Sequence, residues 1–227
     1  LLDPDTFFVG QTLSIGIYRL AFAVMFERTL TQFMKNAAGE ALPRYRALDM
    51  AIKGLVLVAA FEALLPRPVA VMVLASAAAL LFARLATWKP LVAMRTFGIG
   101  IMYAGYLGLV MHLGLSALRH AGVYVGTGSL ATHVFVFVCM GLVIPAMLIR
   151  ISQGHTGRKL VFTRSDRVAL LAMAAGAFFR VVATQVWPDR YVTWIALSAI
   201  GWSACFVTVG VRLTPFLFQA RVDGREH

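Results

Sequence analysis

Long apolar stretches separated by short polar gaps make up almost the whole chain. Seven of them are long enough to cross a hydrocarbon layer roughly 30 Å thick, which takes about 20 helical residues at 1.5 Å each. They predict membrane spans over residues 7–26, 48–65, 68–87, 96–118, 127–149, 167–187 and 191–213. No stretch shows the strict alternation of a half-buried strand. We therefore predict an all-α protein in which residues 1–227 form a single transmembrane helical bundle.

Composition agrees with this pattern. The chain is 60% hydrophobic and only 14% charged, whereas about a quarter of the residues of a typical soluble domain carry charge. Cys139 and Cys205 both lie within spans and have no C-x-x-C spacing, so a disulfide framework or a thiolate zinc site is not indicated. The bilayer is thus the expected solvent for most of the side chains.

The basic residues give the bundle an orientation. Fifteen of the 21 Lys and Arg residues lie in alternate gaps or in the C-terminal tail. These are Arg28, Lys35, Arg44, Arg46, Arg84, Lys89, Arg95, Arg150, Arg158, Lys159, Arg164, Arg167, Arg212, Arg221 and Arg225. The opposite gaps have only Arg67, Arg119 and Arg190. Because cytoplasmic loops are enriched in Lys and Arg, we predict a periplasmic N-terminus and a cytoplasmic C-terminus.

The net charge of +11 would suggest nucleic acid if the chain were soluble. Here the basic residues fall at helix ends, where they face anionic lipid headgroups, so a nucleic-acid partner is rejected. The first span lacks a small-residue cleavage site and is not a signal peptide. Leu1 is followed almost directly by a span, which suggests a segment of a longer protein with further helices upstream.

Several polar side chains that are costly to bury in a membrane are predicted to lie at one depth in it. His112 precedes the outer end of the fourth span by six residues, and His133 follows the outer start of the fifth by six. Both imidazoles are expected about 9 Å below the outer boundary at 1.5 Å per residue. Arg180 lies at a similar depth in the sixth span, with Gln185 slightly shallower. Glu62 is expected near the outer end of the second span.

This layer has the residue types of a metal or haem site. Neutral imidazoles bind iron, copper or zinc, and two from neighbouring helices can hold one metal or both faces of a haem. Arg180 could pair with a haem propionate. Structural alternatives stay open: His112 could hydrogen-bond a neighbouring helix, and Arg180 could extend toward headgroups. Arg19, near mid-span, needs a partner that the sequence does not name.

Other polar or soft side chains admit two interpretations as well. Met140 and Met147 share a helix face with His133 and could complete a copper or haem site, or simply pack in the core. Glu62 could accept protons from the outer side, or only reach water. Pro145 should kink the fifth helix near Gly141, because it removes a backbone donor and crowds that carbonyl.

One local string is distinctive, Gly154-His155-Thr156-Gly157-Arg158 at the cytoplasmic end of the fifth span. It fits a glycine helix cap followed by a turn and lacks the phosphate-loop pattern. With the single His of the preceding helix, it resembles the hallmark of the NnrS family. Further matches to that family follow in the right order: Glu27-Arg28 through Phe33, Ala131-Thr132-His133, Arg180 within Phe-Phe-Arg-Val-Val, and Arg221-Val222-Asp223-Gly224.

The resemblance implies a bacterial inner-membrane protein that contains haem and copper and is linked to nitric oxide metabolism and protection from nitrosative stress. It favours His133 and His155 as metal ligands and Arg180 as a cofactor contact, whereas His112 corresponds to no motif of the family. The family's N-terminal half, with its tryptophan and histidine motif, has no counterpart here. The chain therefore resembles the C-terminal portion, and its expected partners are lipid, nitric oxide and the upstream helices.

Two other classes of protein stay open. A cofactor-free transporter or permease would use Glu62, Arg19 and Arg180 as an ion pathway and the histidines as proton relays. An assembly or scaffold subunit would need no chemistry from either His133 or His155. Substrate, electron donor, oligomeric state and catalytic activity are not indicated by the sequence.

Overall fold

The structure is a computed structural model that describes residues 4–123, 126, 129–222 and 224. Nearly all of these residues are helical, and no strand occurs among them. The prediction of an all-α membrane bundle is confirmed. Asp223, which belongs to one of the strings that suggested the family, lies outside the described residues, as do Arg225 and His227.

Seven main helices follow one another within the described part of the chain. They are α1 (Pro4–Ala38), α2 (Arg46–Ala59), α3 (Arg67–Thr87), α4 (Phe97–His120), α5 (Leu130–His155), α6 (Arg164–Val186) and α7 (Tyr191–Leu217). Short helical turns occupy Glu62–Leu64, Pro90–Ala93 and Pro188–Arg190 between them. Successive helices pack against each other, α1 also contacts α4, and α7 also contacts α5.

Six helices in the described chain are long and apolar enough to cross a membrane, close to the predicted seven. The exception is α2, whose 14 residues extend only about 21 Å at 1.5 Å per residue. The predicted span 48–65 therefore divides into α2 and the turn Glu62–Leu64. The turn Glu62–Leu64 ends before Pro66, because the residue that precedes a proline is driven away from helical backbone angles, and Leu65 is extended.

Small residues let α4 and α5 approach closely. A methyl group on Gly105 would lie 2.3 Å from Cγ2 of Val143, and one on Gly108 would lie 2.8 Å from the backbone nitrogen of Cys139. Such contacts replace the hydrophobic effect as the main source of helix association in lipid, where tails are as apolar as leucine. The small residues of α4 thus fix its position against α5.

Two helices contain wide π-helical turns. In α5 the turn covers Val134–Met140, directly before the stretch that contains Pro145. In α6 it covers Phe179–Ala183. Turns of this type are rare and occur frequently at functional sites. Both of these lie beside residues that the sequence marked as chemical candidates.

Charged groups at the basic end of the bundle, where α1 ends and α2 begins, are paired within the protein. Arg84 is 1% exposed and donates to Asp49 Oδ1 at 3.2 Å and to the Tyr106 hydroxyl at 3.0 Å. At the start of α6, Asp166 caps the helix with Thr163 and forms an ion pair with Arg212 of α7. Loops and helix ends are thereby held together where the apolar packing stops.

Replacing Gly108 with Ala should weaken the contact between α4 and α5. The added methyl meets backbone, which cannot rotate away, so we expect a loss of about 1–3 kcal/mol in the free energy of unfolding. Gly114→Ala on the same helix is the control, because nothing lies within 4 Å of its added methyl. Reversible unfolding in detergent micelles measures both variants; equal stability would contradict the packing described here.

Candidate functional site

Two polar groups of residues lie toward the end of the bundle where α4 ends and α5 begins. The first, the Arg19 cluster, consists of Arg19, Glu62 and His112. The second is the pair formed by His133 and Arg180. The five residues come from α1, the turn after α2, α4, α5 and α6. Packing of the bundle thus separates His112 from His133 and Arg180, which the sequence placed at one depth, and joins it to Arg19, which was expected near mid-span.

The Arg19 cluster is a buried ion pair with a third member. The guanidinium of Arg19 is bound to Glu62 through both terminal nitrogens, at 2.9 Å to Oε2 and 3.0 Å to Oε1. Its Nε donates to Nε2 of His112 at 2.7 Å. Arg19 is 2% exposed and Glu62 7%. A bidentate pair of this kind is one of the few ways to keep a guanidinium inside an apolar bundle.

Both ring nitrogens of His112 are occupied. Nε2 accepts from Arg19, so the proton of a neutral ring is on Nδ1, which lies 2.6 Å from the carbonyl oxygen of Ala131 and donates to it. This tautomer leaves no lone pair for a metal. A cofactor role for His112 stays a prediction, and it would require Arg19 to release the ring.

The His133–Arg180 pair joins α5 to α6. Nη2 of Arg180 donates to Nε2 of His133 at 2.8 Å, and the guanidinium carbon lies 5.7 Å from the ring centroid of Phe137. Arg180 is within the π-helical turn of α6, and His133 directly precedes that of α5. The wide turns change the direction in which successive side chains point, which helps to bring these two side chains into contact.

The pair has the features of a partial cofactor site. Both side chains are half-buried, and Nε of Arg180 is buried without a hydrogen-bond partner. A buried donor without an acceptor is costly, and a carboxylate would satisfy it. These residues fit one haem ligand and one propionate contact. Among the described residues, no group of three His, Cys, Asp or Glu side chains is positioned to hold a metal ion.

His155 is in a different part of the molecule. It is the last residue of α5, 22 positions after His133, so roughly 33 Å separates the two along the helix axis. The side chain is exposed, and its backbone carbonyl accepts from Nη1 of Arg221 at 3.1 Å. The two histidines cannot bind one metal within this chain. A metal at His155 stays a prediction.

Two of the strings that suggested the family lie against each other. The amide of Val222 donates to the carbonyl of Thr156 at 3.1 Å, beside the contact between Arg221 and His155. Gly157 has a φ of +71°, a left-handed conformation that glycine adopts without strain. The C-terminal segment is thereby attached to the end of α5, a structural use for both strings.

The remaining candidates have ordinary environments. Met140 and Met147 are partly buried and pack against the apolar core. Cys139 and Cys205 are buried and unpaired. Gln185 donates to the hydroxyl of Thr184 at 3.2 Å. The environments of these side chains do not indicate a binding or catalytic site in addition to the two polar groups.

The sequence did not identify the pairing of Arg19 with Glu62. The available signal was that a lone basic residue and a lone acidic residue lie in neighbouring apolar spans, where each is costly unless it finds an opposite charge. What was missing is the position of Glu62, which follows the end of α2 at the turn Glu62–Leu64. A regular helix over the predicted span would have placed the carboxylate differently.

The fold and the site together define a polytopic membrane protein with an internal polar site. Its helices are long and apolar enough to span a bilayer, and they enclose a buried charge cluster and a His–Arg pair at π-helical turns. The family model described as NnrS protein matches residues 2–221. This chain belongs to the NnrS family, as its sequence strings suggested. No curated protein and no solved structure matches it.

Replacing Glu62 with Ala should destabilise the bundle strongly. The substitution leaves the Arg19 charge buried without its partner, which typically costs about 3–5 kcal/mol in the free energy of unfolding. The double variant Arg19→Met, Glu62→Leu removes both charges and should recover much of the loss. Reversible unfolding in micelles is the measurement.

The matched control is Glu40→Ala. Glu40 also has a basic partner, Lys89, but the two side chains are 35% and 46% exposed, and such surface pairs contribute at most about 1 kcal/mol. A loss at Glu62 no larger than that at Glu40 would show that the buried pair does not stabilise the fold.

Proposed function

We propose that this protein is a haem- and copper-containing protein of the bacterial inner membrane that acts in nitric oxide metabolism or in protection from nitrosative stress. Membership of the NnrS family supports the assignment. The structural observation that carries it is the His133–Arg180 pair, with the buried and unpartnered Nε of Arg180. In this proposal His133 would be a ligand of the haem iron or of copper.

In this proposal His133 and Arg180 have different roles, His133 as a metal ligand and Arg180 as a partner for a carboxylate. A bound haem would supply a redox-active iron able to take up a diatomic ligand. Nε2 of His133 now accepts from Arg180, and one lone pair cannot serve both a guanidinium and a metal. Binding of His133 to a metal would therefore free Arg180, whose guanidinium could then bind a carboxylate in bidentate fashion. Nitric oxide is small and uncharged and can reach such a site through the lipid.

Purified protein should show a Soret band or contain copper, and His133→Ala should shift or abolish the spectrum. Oxidised and dithionite-reduced spectra, with and without nitric oxide, are the measurement, together with elemental analysis for copper. Arg180→Gln should leave the metal bound but weaken its retention, because the carboxylate contact is lost.

The control is His120→Ala, a half-buried imidazole at the end of α4 that should leave the spectrum unchanged. His155→Ala tests separately whether a second metal is held at the far end of α5. Protein without a Soret band and without copper would end the proposal, and a spectrum indifferent to His133→Ala would remove that residue from it.

We further propose that the basic end of the bundle is cytoplasmic. In a chain whose native cysteines are buried, Arg190→Cys and Arg46→Cys place reporters at opposite ends, both at exposed positions. A membrane-impermeant maleimide should label the cysteine at 190 on intact spheroplasts and the one at 46 only after lysis. The reverse pattern would invert the orientation.

A transporter is the second candidate, favoured by a cavity of about 890 Å³ that has the Arg19 cluster in its wall. Transport needs no metal, so uptake by proteoliposomes of protein prepared free of haem and copper would favour this alternative. If no uptake is observed and the protein shows a metal-dependent spectrum, the result would favour the haem and copper protein.

A further inference from the structure

A cavity opens at the end of the bundle where α1 begins and α4 ends. Its volume is about 890 Å³, and its wall is formed by α1, the turn after α2, the start of α3, the end of α4 and the start of α5. Cavities that bind small molecules usually measure about 300–1,000 Å³. The space is therefore large enough for an organic ligand rather than for water alone.

Charge in the wall is unbalanced. The Arg19 cluster contributes one positive and one negative charge, which neutralise each other through the bidentate pair. Arg67 and Arg119 also line the cavity, and Glu62 is the single carboxylate among the described lining residues. Among the described lining residues, three Arg against one Glu leave an excess of two positive charges.

Arg67 is the cation on which the inference depends. It begins α3, is exposed, and forms no ion pair with the described part of the chain. Arg119 has an interaction of its own within the protein, so only its charge is counted here. The guanidinium of Arg67, at the cavity wall and without a carboxylate partner among the described residues, attracts anions and repels cations.

The rest of the wall suits a polar ligand. Gln11, Ser116, Ser129 and Thr132 contribute an amide and three hydroxyls, which can donate to or accept from any oxygen-rich group. No group of three potential metal-ligating side chains occurs in the described residues, so a bound cation is not favoured. The size of the cavity, its positive charge and its hydrogen-bonding groups together indicate a small anionic ligand with polar groups.

We propose that this cavity binds a small anion that bears a carboxylate or a phosphate, with its negative group at Arg67 and its polar body along the hydroxyl groups of α4 and α5. The anion can come from solution or from a lipid headgroup, since the cavity opens at the helix ends. The site is separate from the His133–Arg180 pair, and the proposal does not depend on a haem or copper cofactor.

The experiment uses the full chain in phosphatidylcholine nanodiscs, titrated calorimetrically with succinate and with inorganic phosphate. Succinamide, the neutral analogue of succinate, is the ligand control. We expect saturable binding of at least one anion and none of succinamide. A parallel preparation in phosphatidylglycerol nanodiscs, followed by thermal denaturation, tests whether a headgroup occupies the cavity instead.

Arg67→Gln should weaken binding at least tenfold, or should abolish the stabilisation by phosphatidylglycerol, whereas Arg67→Lys should retain part of either effect. Arg28→Gln is the matched control: an exposed Arg of α1 at the opposite end of the bundle. Ser116→Leu tests the same site by filling it without changing its charge.

Binding confined to phosphatidylglycerol and sensitive to Arg67 supports the proposal and identifies the headgroup as the source. Binding of succinate or phosphate with the same sensitivity supports it with a soluble ligand. The proposal is overturned if no anion acts in either lipid, or if Arg67→Gln and Arg28→Gln behave alike.

Discussion

The need to give buried charges a partner inside the protein is the constraint on which this bundle depends, because the hydrocarbon interior offers no water to replace a missing hydrogen bond. The guanidinium of Arg19 is among the most demanding of these groups, at 2% exposure. Its bonds to Glu62 and His112, and the bond from His112 to Ala131, connect α1, the end of α2, α4 and α5. Four segments must be correctly positioned before this one charge is satisfied.

The basic end of the bundle meets a different requirement. There the Lys and Arg residues are concentrated, and several of these side chains have definite protein partners. Arg84 is held by Asp49 and Tyr106, and Arg212 by Asp166. The basic residues from which an orientation is predicted thus also connect the helices at their ends.

The residues proposed to bind a cofactor lie where the helices depart from regular α-helical geometry. The π-helical turns of α5 and α6 occur beside His133 and Arg180, and the buried Nε of Arg180 has no acceptor. A protein keeps an unsatisfied buried donor at a cost, so its presence beside a potential metal ligand is the strongest structural argument for a carboxylate-bearing cofactor. In the Arg19 cluster, by contrast, every nitrogen of the Arg19 guanidinium and of the His112 ring has a hydrogen-bond partner within the protein.

The sequence by itself determined the solvent, the helical class, six of the seven spans and the family, because apolar length, charge asymmetry and short strings are local properties of the chain. It also identified His112, His133 and Arg180 as polar side chains that are costly to place within membrane spans. Only the tertiary structure decided their partners: His133 bonds Arg180, whereas His112 joins Arg19 and Glu62. Partner choice depends on helix rotation, on the early end of α2 and on the π-helical turns, and these follow from packing between segments distant in sequence rather than from any local pattern.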